Sequence, residues 1–450
     1  MSEIPVILSF PLPFRVLALT CLGILGWATN LHGLDLAGVD VVSAMDLRVE
    51  AADTHVPHHR PTALKHPFNH HIIYAAVYRL CAAYSVWVFL SWAAFRFVTY
   101  GNMVLVDAFS YIPAISALVA LLVLVCPIDA FYKRERDKFL HAVRRCLFTP
   151  MDGPIYFADV VFADIFTSFA KVLGDVWLSA CMLLPGNTLF RTPADGPWLR
   201  WVMPTIMSLP YLIRLKQCII EYSLPSNQSR RPLFNALKYA TSFPVIYLSA
   251  AQRLVVTELV REKGEDIANE AWHGEHRLFR LWLLAAAINS LYSFWWDVTN
   301  DWGLSLLKPN DSSRNRPIPP RRLLLSSPEE NPAAVANHER QQHPYGLRST
   351  LLYPLPVYPL VVFLNLVLRL TWSIKLSSHL HSKTDGSVTI FWLEVAEVVR
   401  RWMWVFIRIE WEVIKKTEHG SRRDEHELLL EDDGDYEMVL RTSDEGSLGR

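Results

Sequence analysis

The chain has 450 residues, 51% hydrophobic, 12% aromatic and 20% charged, and its 44 Lys and Arg balance 44 Asp and Glu for a formal net charge of zero. That balance supplies no long-range field for nucleic acid. Six cysteines without a Cys-x-x-Cys pair speak against a disulfide framework or a zinc site.

Apolar runs of about 18–25 residues, the length a helix needs to cross a ~30 Å hydrocarbon core, recur at 13–31, 73–98, 104–128, 156–184, 199–221, 234–256, 278–299, 352–377 and 389–411. Alternating segments of ~10 residues, the mark of a membrane barrel, are absent. The expected fold is all-α: a polytopic helical membrane protein with about nine transmembrane helices, or ten if 32–72 hides another. The first run has no basic segment before it and no A-x-A site after it, so it reads as a retained helix. The chain divides into N-terminal helices with their connecting loop (1–128), a basic linker (129–155), a second transmembrane domain (156–415) and an acidic tail (416–450).

Lys and Arg in short loops set orientation. The basic stretches Tyr132–Arg145, Arg214–Pro232 and Lys308–Arg322 all fall on one side, which is then cytosolic. The C-terminus follows into the cytosol and the N-terminus into the lumen. Residues 308–350, rich in Pro, Ser, Asn, Arg and Gln, read as a mobile cytosolic loop. Residues 417–450 hold eleven Asp or Glu against four Lys or Arg and read as a disordered tail. Within it, Asp424, Leu428 and Leu429 of "DEHELLL" are either an acidic dileucine sorting signal or a polar tail with a leucine patch.

The run at 389–411 carries charge that lipid disfavours, at a cost of roughly 2.5–3.5 kcal/mol per group on insertion scales. At about 100° per residue, Glu397, Arg400, Arg401, Arg408 and Glu412 share one broad face, and Glu410 points away from it. Arg408, with Lys415 and Lys416, reads as the cytosolic end of the helix. Other apolar runs carry Asp164, Lys171, Asp175, Lys238, Asp297, Asp301 and Arg369. Each is by itself an ordinary intramembrane ion pair. Together, Arg forks and a Lys point charge suit a tetrahedral oxyanion, with carboxylates balancing the empty site. These donors accept phosphate or sulfate alike.

The segments "FADIFTSFAKVLGD", "LPYLIRLKQCIIEY", "LFNALKYATSF", "LYSFWWDVTNDWGL", "NLVLRLTW" and "EVVRRWMWVFIRIEWE" occur in the order seen in the EXS-domain family, which the chain resembles from about 150 to 415. That family includes phosphate exporters first known as retrovirus receptors and a yeast Golgi protein needed for retention of ER lumenal proteins. The resemblance implies a phosphate pathway through Asp164, Lys238, Tyr239, Asp297, Arg369, Glu397, Arg400 and Arg401. It sets Thr167 or Ser168 beside Asp164, and Trp372 as either a gate or an ordinary packing tryptophan. Twelve or so residues precede the first apolar run, too few for the SPX sensor of the plasma-membrane exporters. The implied branch is therefore the short, Golgi one.

The function expected is a Golgi membrane phosphate transporter that returns lumenal phosphate, a by-product of glycosylation, to the cytosol. It would support recycling of glycosyltransferases and retention of ER proteins. The alternative is a sorting adaptor that links Golgi glycosyltransferases to vesicle coat components without transport. Inorganic phosphate and the lipid bilayer are the expected partners, for one chain or a homodimer, and nucleic acid is not. Other endomembranes or the plasma membrane are the alternative locations. No nucleotide-binding GxxxxGK[ST] motif is present, and no catalytic residue, cofactor or metal is expected. The histidines at 55, 58, 59, 66, 70 and 71 lack a ligand spacing with a mechanism and read as a solvated loop.

Overall fold

Apolar composition and proline placement set the first helices. In a computed structural model, which describes residues 8–45, 70–184, 187–190, 199–263, 277–304, 306, 321–322, 347–348, 350–371 and 386–444, α1 (Leu12–Leu36) starts directly after Pro11 with Pro13 in its first turn, where no intrahelical N–H is required. It packs along α2 (His70–Thr99). Asn102 caps the amide of Val104 at 3.0 Å and opens a short helix, Met103–Ala108, ahead of α3 (Tyr111–Val125). Phe89, Leu90, Leu118 and Leu122 on α2 and α3 are more than half exposed, an apolar outer face fit for lipid.

The basic stretch expected as a linker folds as α4 (Lys133–Phe148). Its Arg136 is 3% exposed because it turns back under the end of α3. Arg136 Nη1 donates to the carbonyl of Cys126 at 2.9 Å, Nη2 to Ala130 O at 2.8 Å and Nε to Phe131 O at 2.8 Å. One guanidinium thus satisfies carbonyls left open where a helix ends.

From there the helices are short and interrupted. The run at 156–184 is two helices, α5 (Phe157–Ser168) and α6 (Ala170–Met182), divided at Phe169. α7 (Val202–Ser223) is continuous although Pro210 lies within it. The run at 234–256 falls across α8 (Arg231–Ala240) and α9 (Ser242–Lys263), divided at Thr241. α10 (Arg277–Trp296) ends in a π turn, Asp297–Asp301, whose closing bond runs from the Trp302 amide back to Asp297 O at 2.9 Å. Gly303 follows with φ +64, hard against the Trp411 ring. α11 (Val357–Arg369) has 13 residues, and α12 (Gly386–Asp444) closes the chain. A two-residue parallel pairing of Arg321–Arg322 with Thr350–Leu351 is the extended structure among the described residues.

Among the described residues, four helical stretches are long and apolar enough to cross a membrane: Leu12–Leu36, Ile73–Thr99, Met103–Val125 and Arg277–Asp301. The other expected spans are shorter or carry more charge. α12 is the central element and packs on α1, α5 and α11. Trp404, Val405, Ile407 and Ile409 of α12 are at most 1% exposed and meet Leu31 and Leu34 of α1, Val161 of α5 and Tyr358 of α11. The α12 backbone is helical as far as Asp444, within the segment read as a disordered tail, while the side chains of Asp424, Leu428 and Leu429 lie outside the described residues. So do Trp372, most of the loop 308–350, and the histidines at 55, 58, 59 and 66.

Glu410 does turn away from the Glu397 face, but into a second buried cluster rather than outward. It is 1% exposed and accepts from Arg348 Nη2 at 2.8 Å, from the Leu352 amide at 2.8 Å and from the Tyr358 hydroxyl. Arg408, read as marking a membrane edge, is also buried. It pairs with Glu412 at 2.9 Å and lies 4.6 Å over the Phe157 ring. Removing one partner of a buried pair strands the other, so Glu410→Ala should cost about 3–5 kcal/mol. Glu412→Ala removes the more exposed partner of its pair, 18% exposed, and leaves Arg408 over the Phe157 ring, so it should cost less, about 1–3 kcal/mol. Thermal unfolding of the two purified variants checks the difference.

Candidate functional site

Asp297 opens the π turn and is fully buried. Its Oδ1 accepts from Lys238 Nζ at 2.9 Å. Its Oδ2 accepts from Arg369 Nε at 3.1 Å, Arg369 Nη2 at 2.5 Å and Asn365 Nδ2 at 3.3 Å. Arg400 Nη1 stands 3.7 Å from the same oxygen. The π turn also brings Asp301 to the other side of Lys238, at 2.8 Å. Lys238 is therefore clasped by two carboxylates four residues apart.

A second group is built on α5. Asp164, 2% exposed, accepts from Arg214 Nε at 2.9 Å and from the Tyr239 hydroxyl at 2.6 Å. Arg214 donates further to Gln217 Oε1 at 2.5 Å and sits 4.9 Å over the Tyr239 ring. Tyr239 and Lys238 are neighbours in the last turn of α8, so that turn joins the two groups.

Arg400 and Arg401 differ sharply. Arg400 grips Glu397 with two N–H groups, Nε to Oε2 at 2.8 Å and Nη2 to Oε1 at 2.5 Å, and Nη1 reaches Asn365 Oδ1 at 3.4 Å. Arg401, 5% exposed, has no carboxylate within ion-pair distance among the described residues. Its Nε donates to Ser168 Oγ at 3.0 Å and its Nη2 to Thr167 Oγ1 at 2.9 Å, while Nη1 has no hydrogen-bond partner. Both hydroxyl protons are already committed, Ser168 to Glu397 Oε1 at 2.8 Å and Thr167 to the Asp164 carbonyl at 2.7 Å. The two oxygens therefore face Arg401 as acceptors. The guanidinium also lies 4.7 Å over the Trp404 ring.

These residues gather where helices break. Asp164, Thr167 and Ser168 end α5, Lys238 and Tyr239 end α8, Asp297 and Asp301 form the π turn, and Arg369 ends α11. Cations in the last turns of α8 and α11 also meet the negative ends of those helices. Discontinuous helices are the recurrent way for membrane proteins to surround an ion with polar groups. Counted as ionised, Lys238, Arg214, Arg369, Arg400 and Arg401 face Asp164, Asp297, Asp301 and Glu397: five positive charges against four negative. The surplus charge coincides with Arg401. Glu397 is the open carboxylate, its side chain 35% exposed beside the buried Arg400.

The structure brings together all eight residues of the expected pathway; Trp372 lies outside the described residues. Lys171 and Asp175 do not join them. They pair with each other, and Lys171 Nζ lies 3.6 Å from Glu394. Arg214 and Asn365 join the network without belonging to the expected pathway. In sequence Arg214 reads as part of a basic cytosolic loop, yet α7 carries it into the interior. Asn365 lies one turn before Arg369 on the same face of α11, a signal the sequence offered.

Arg214 has the connections of a structural residue, with its N–H groups engaged by Asp164, Tyr239 and Gln217. Arg214→Met should therefore destabilise the protein by about 3–5 kcal/mol by stranding Asp164, and adding Asp164→Leu should recover most of that loss. Unfolding midpoints of the two single variants and the double variant check this.

Comparison with known proteins covers most of the chain. The EXS family matches residues 10–414. Protein ERD1 homolog 1 of Schizosaccharomyces pombe is 26% identical over 427 residues, 93% of this chain and 95% of that protein. Protein ERD1 of Kluyveromyces lactis is 29% identical over 270 residues, 58% of this chain and 60% of that protein. Phosphate transporter PHO1 of Arabidopsis thaliana is 25% identical over 302 residues, 66% of this chain and 32% of that protein, so the chain matches about a third of its length. With a match that runs from the start of α1 into α12, the chain belongs to the EXS family.

Proposed function

We propose that the network around Asp297 and Arg401 binds inorganic phosphate and passes it across a membrane. The observation that carries this reading is the surplus positive charge on Arg401, buried against two neutral hydroxyls with no carboxylate in ion-pair distance among the described residues. A buried charge held that way is costly, and a bound anion removes the cost. Phosphate oxygens would exchange their hydration for the N–H groups of Arg401, Arg400, Arg369 and Lys238. The carboxylates already on those cations keep binding weak enough for the ion to leave. Glu397, whose side chain is 35% exposed, accepts the P–O–H proton of monobasic phosphate, a hydrogen bond that sulfate cannot offer. Relatives with the printed name of phosphate transporter support the choice of anion.

In this reading the chain spans a Golgi membrane about nine or ten times with a cytosolic C-terminus, singly or as a homodimer. It returns phosphate released by lumenal glycosylation to the cytosol, down its gradient, and so supports glycosyltransferase recycling and ER protein retention. Trp372 acts as a gate. Relatives with the printed name ERD1 keep the second reading, a sorting adaptor that uses Asp424, Leu428 and Leu429 of the tail, as its competitor.

Radiolabelled phosphate flux into proteoliposomes decides between them. The wild type should carry phosphate against a tenfold excess of sulfate, and Arg400→Ala and Arg401→Ala should each lose at least about tenfold, or 1.4 kcal/mol of barrier. Wild-type protein that is folded, correctly oriented and silent would remove the transport reading and leave the adaptor.

A further inference from the structure

Arg401 has a neighbour on α1, a helix to which neither the sequence motifs nor the reading above gives a role. Asn30 is 3% exposed, and its Oδ1 has no hydrogen-bond partner. Arg401 Nη1 is likewise buried and unpartnered. Both residues line one cavity of about 30 Å³ between α1, α5 and α12. Its remaining walls are apolar, Trp27, Ile165, Phe169 and Val405 among them, with Gly23 and Gly26 on the α1 side. The glycines matter to this approach: a Cβ on Gly23 would fall 2.6 Å from the Phe169 ring.

The two orphaned groups are complementary in kind. An amide oxygen only accepts and a guanidinium only donates. A cavity of this size is large enough for one water, which needs at least two polar partners, and it has two. It is too small for a phosphate ion.

We propose that Asn30 is a positioning residue for Arg401, acting through one water that accepts from Arg401 Nη1 and donates to Asn30 Oδ1. The guanidinium is then tethered through three of its five N–H groups, to Ser168, Thr167 and the water, and every tether is neutral. It keeps no carboxylate within ion-pair distance among the described residues, and two N–H groups remain for an anion. α1 thereby decides how Arg401 is presented, although it contributes no charged group to the network. An asparagine suits this task where an aspartate would not, because a carboxylate in its place would supply a fifth negative charge and cancel the surplus.

The functional half of this inference rests on Arg401 as an anion-binding group, and the test separates the two. In proteoliposomes, Asn30→Asp should raise the phosphate concentration for half-maximal flux at least about tenfold while the protein remains as stable as wild type. Asn30→Leu should lower the unfolding midpoint and raise half-saturation less. In purified full-length protein, Asn30→Leu and Arg401→Met should lower the midpoint by less together than the sum of the two alone, since both remove the same bridge. Additive midpoint losses would overturn the inference whatever the flux does, as would unchanged half-saturation in Asn30→Asp. Non-additive losses in a protein that carries no phosphate would keep the Asn30–Arg401 link and bring down the phosphate reading instead.

Discussion

The ion pairs of Asp297 set the terms for the rest of the domain. A fully buried carboxylate costs several kcal/mol unless opposite charge and hydrogen bonds surround it, and Asp297 is met by Lys238, Arg369, Asn365 and, at longer range, Arg400. Those four residues come from α8, α11 and α12. One carboxylate thus fixes three helices around the π turn, and each cation it holds is constrained in position and in charge. The second group, Asp164 with Arg214 and Tyr239, follows the same logic but closes on itself. Among the described residues, Arg401 alone of the network's cations has no carboxylate within ion-pair distance, and the functional reading rests on that remainder.

The backbone is shaped to the same end. A continuous helix hides its peptide groups from an ion, whereas an interrupted one exposes carbonyls and ends its dipole inside the protein. The breaks after Ser168 and Ala240 and the π turn at Asp297 lie at the network. α12 passes through it unbroken, backed by Trp404, Val405 and Ile407. A long rigid helix therefore presents Glu397, Arg400 and Arg401 to polar groups held on short ones. Gly303 lets the chain turn out of the π segment against Trp411, where a side chain would collide.

Much of this was legible in the residues. Length and apolarity mark the early helices, and charge placed in apolar runs marks Asp164, Lys238, Asp297, Arg369, Glu397, Arg400 and Arg401, which do converge. Other features were not legible because they are tertiary. Arg214 looks like a loop cation until α7 is seen to continue past it. Glu410 looks peripheral on a helical wheel because a wheel shows which face a residue takes and not what covers that face. Arg136 reads as a mark of orientation, yet its charge is spent on the end of α3. The interruption at Phe169 carries no proline or glycine signal and cannot be seen in hydropathy, whereas the one at Thr241 is marked by Pro244 in the first turn of α9. Asn30 is neutral in a long apolar helix and has no sequence signature at all.

The account holds that a single uncompensated guanidinium makes this network an anion site. Equilibrium binding of radiolabelled phosphate to purified protein, compared between wild type and Arg401→Gln, tests that without any need for transport. The account predicts saturable binding in the wild type and an affinity at least about tenfold lower in the variant, a loss of 1.4 kcal/mol or more. Equal affinity in the two proteins, with the variant folded, would contradict it.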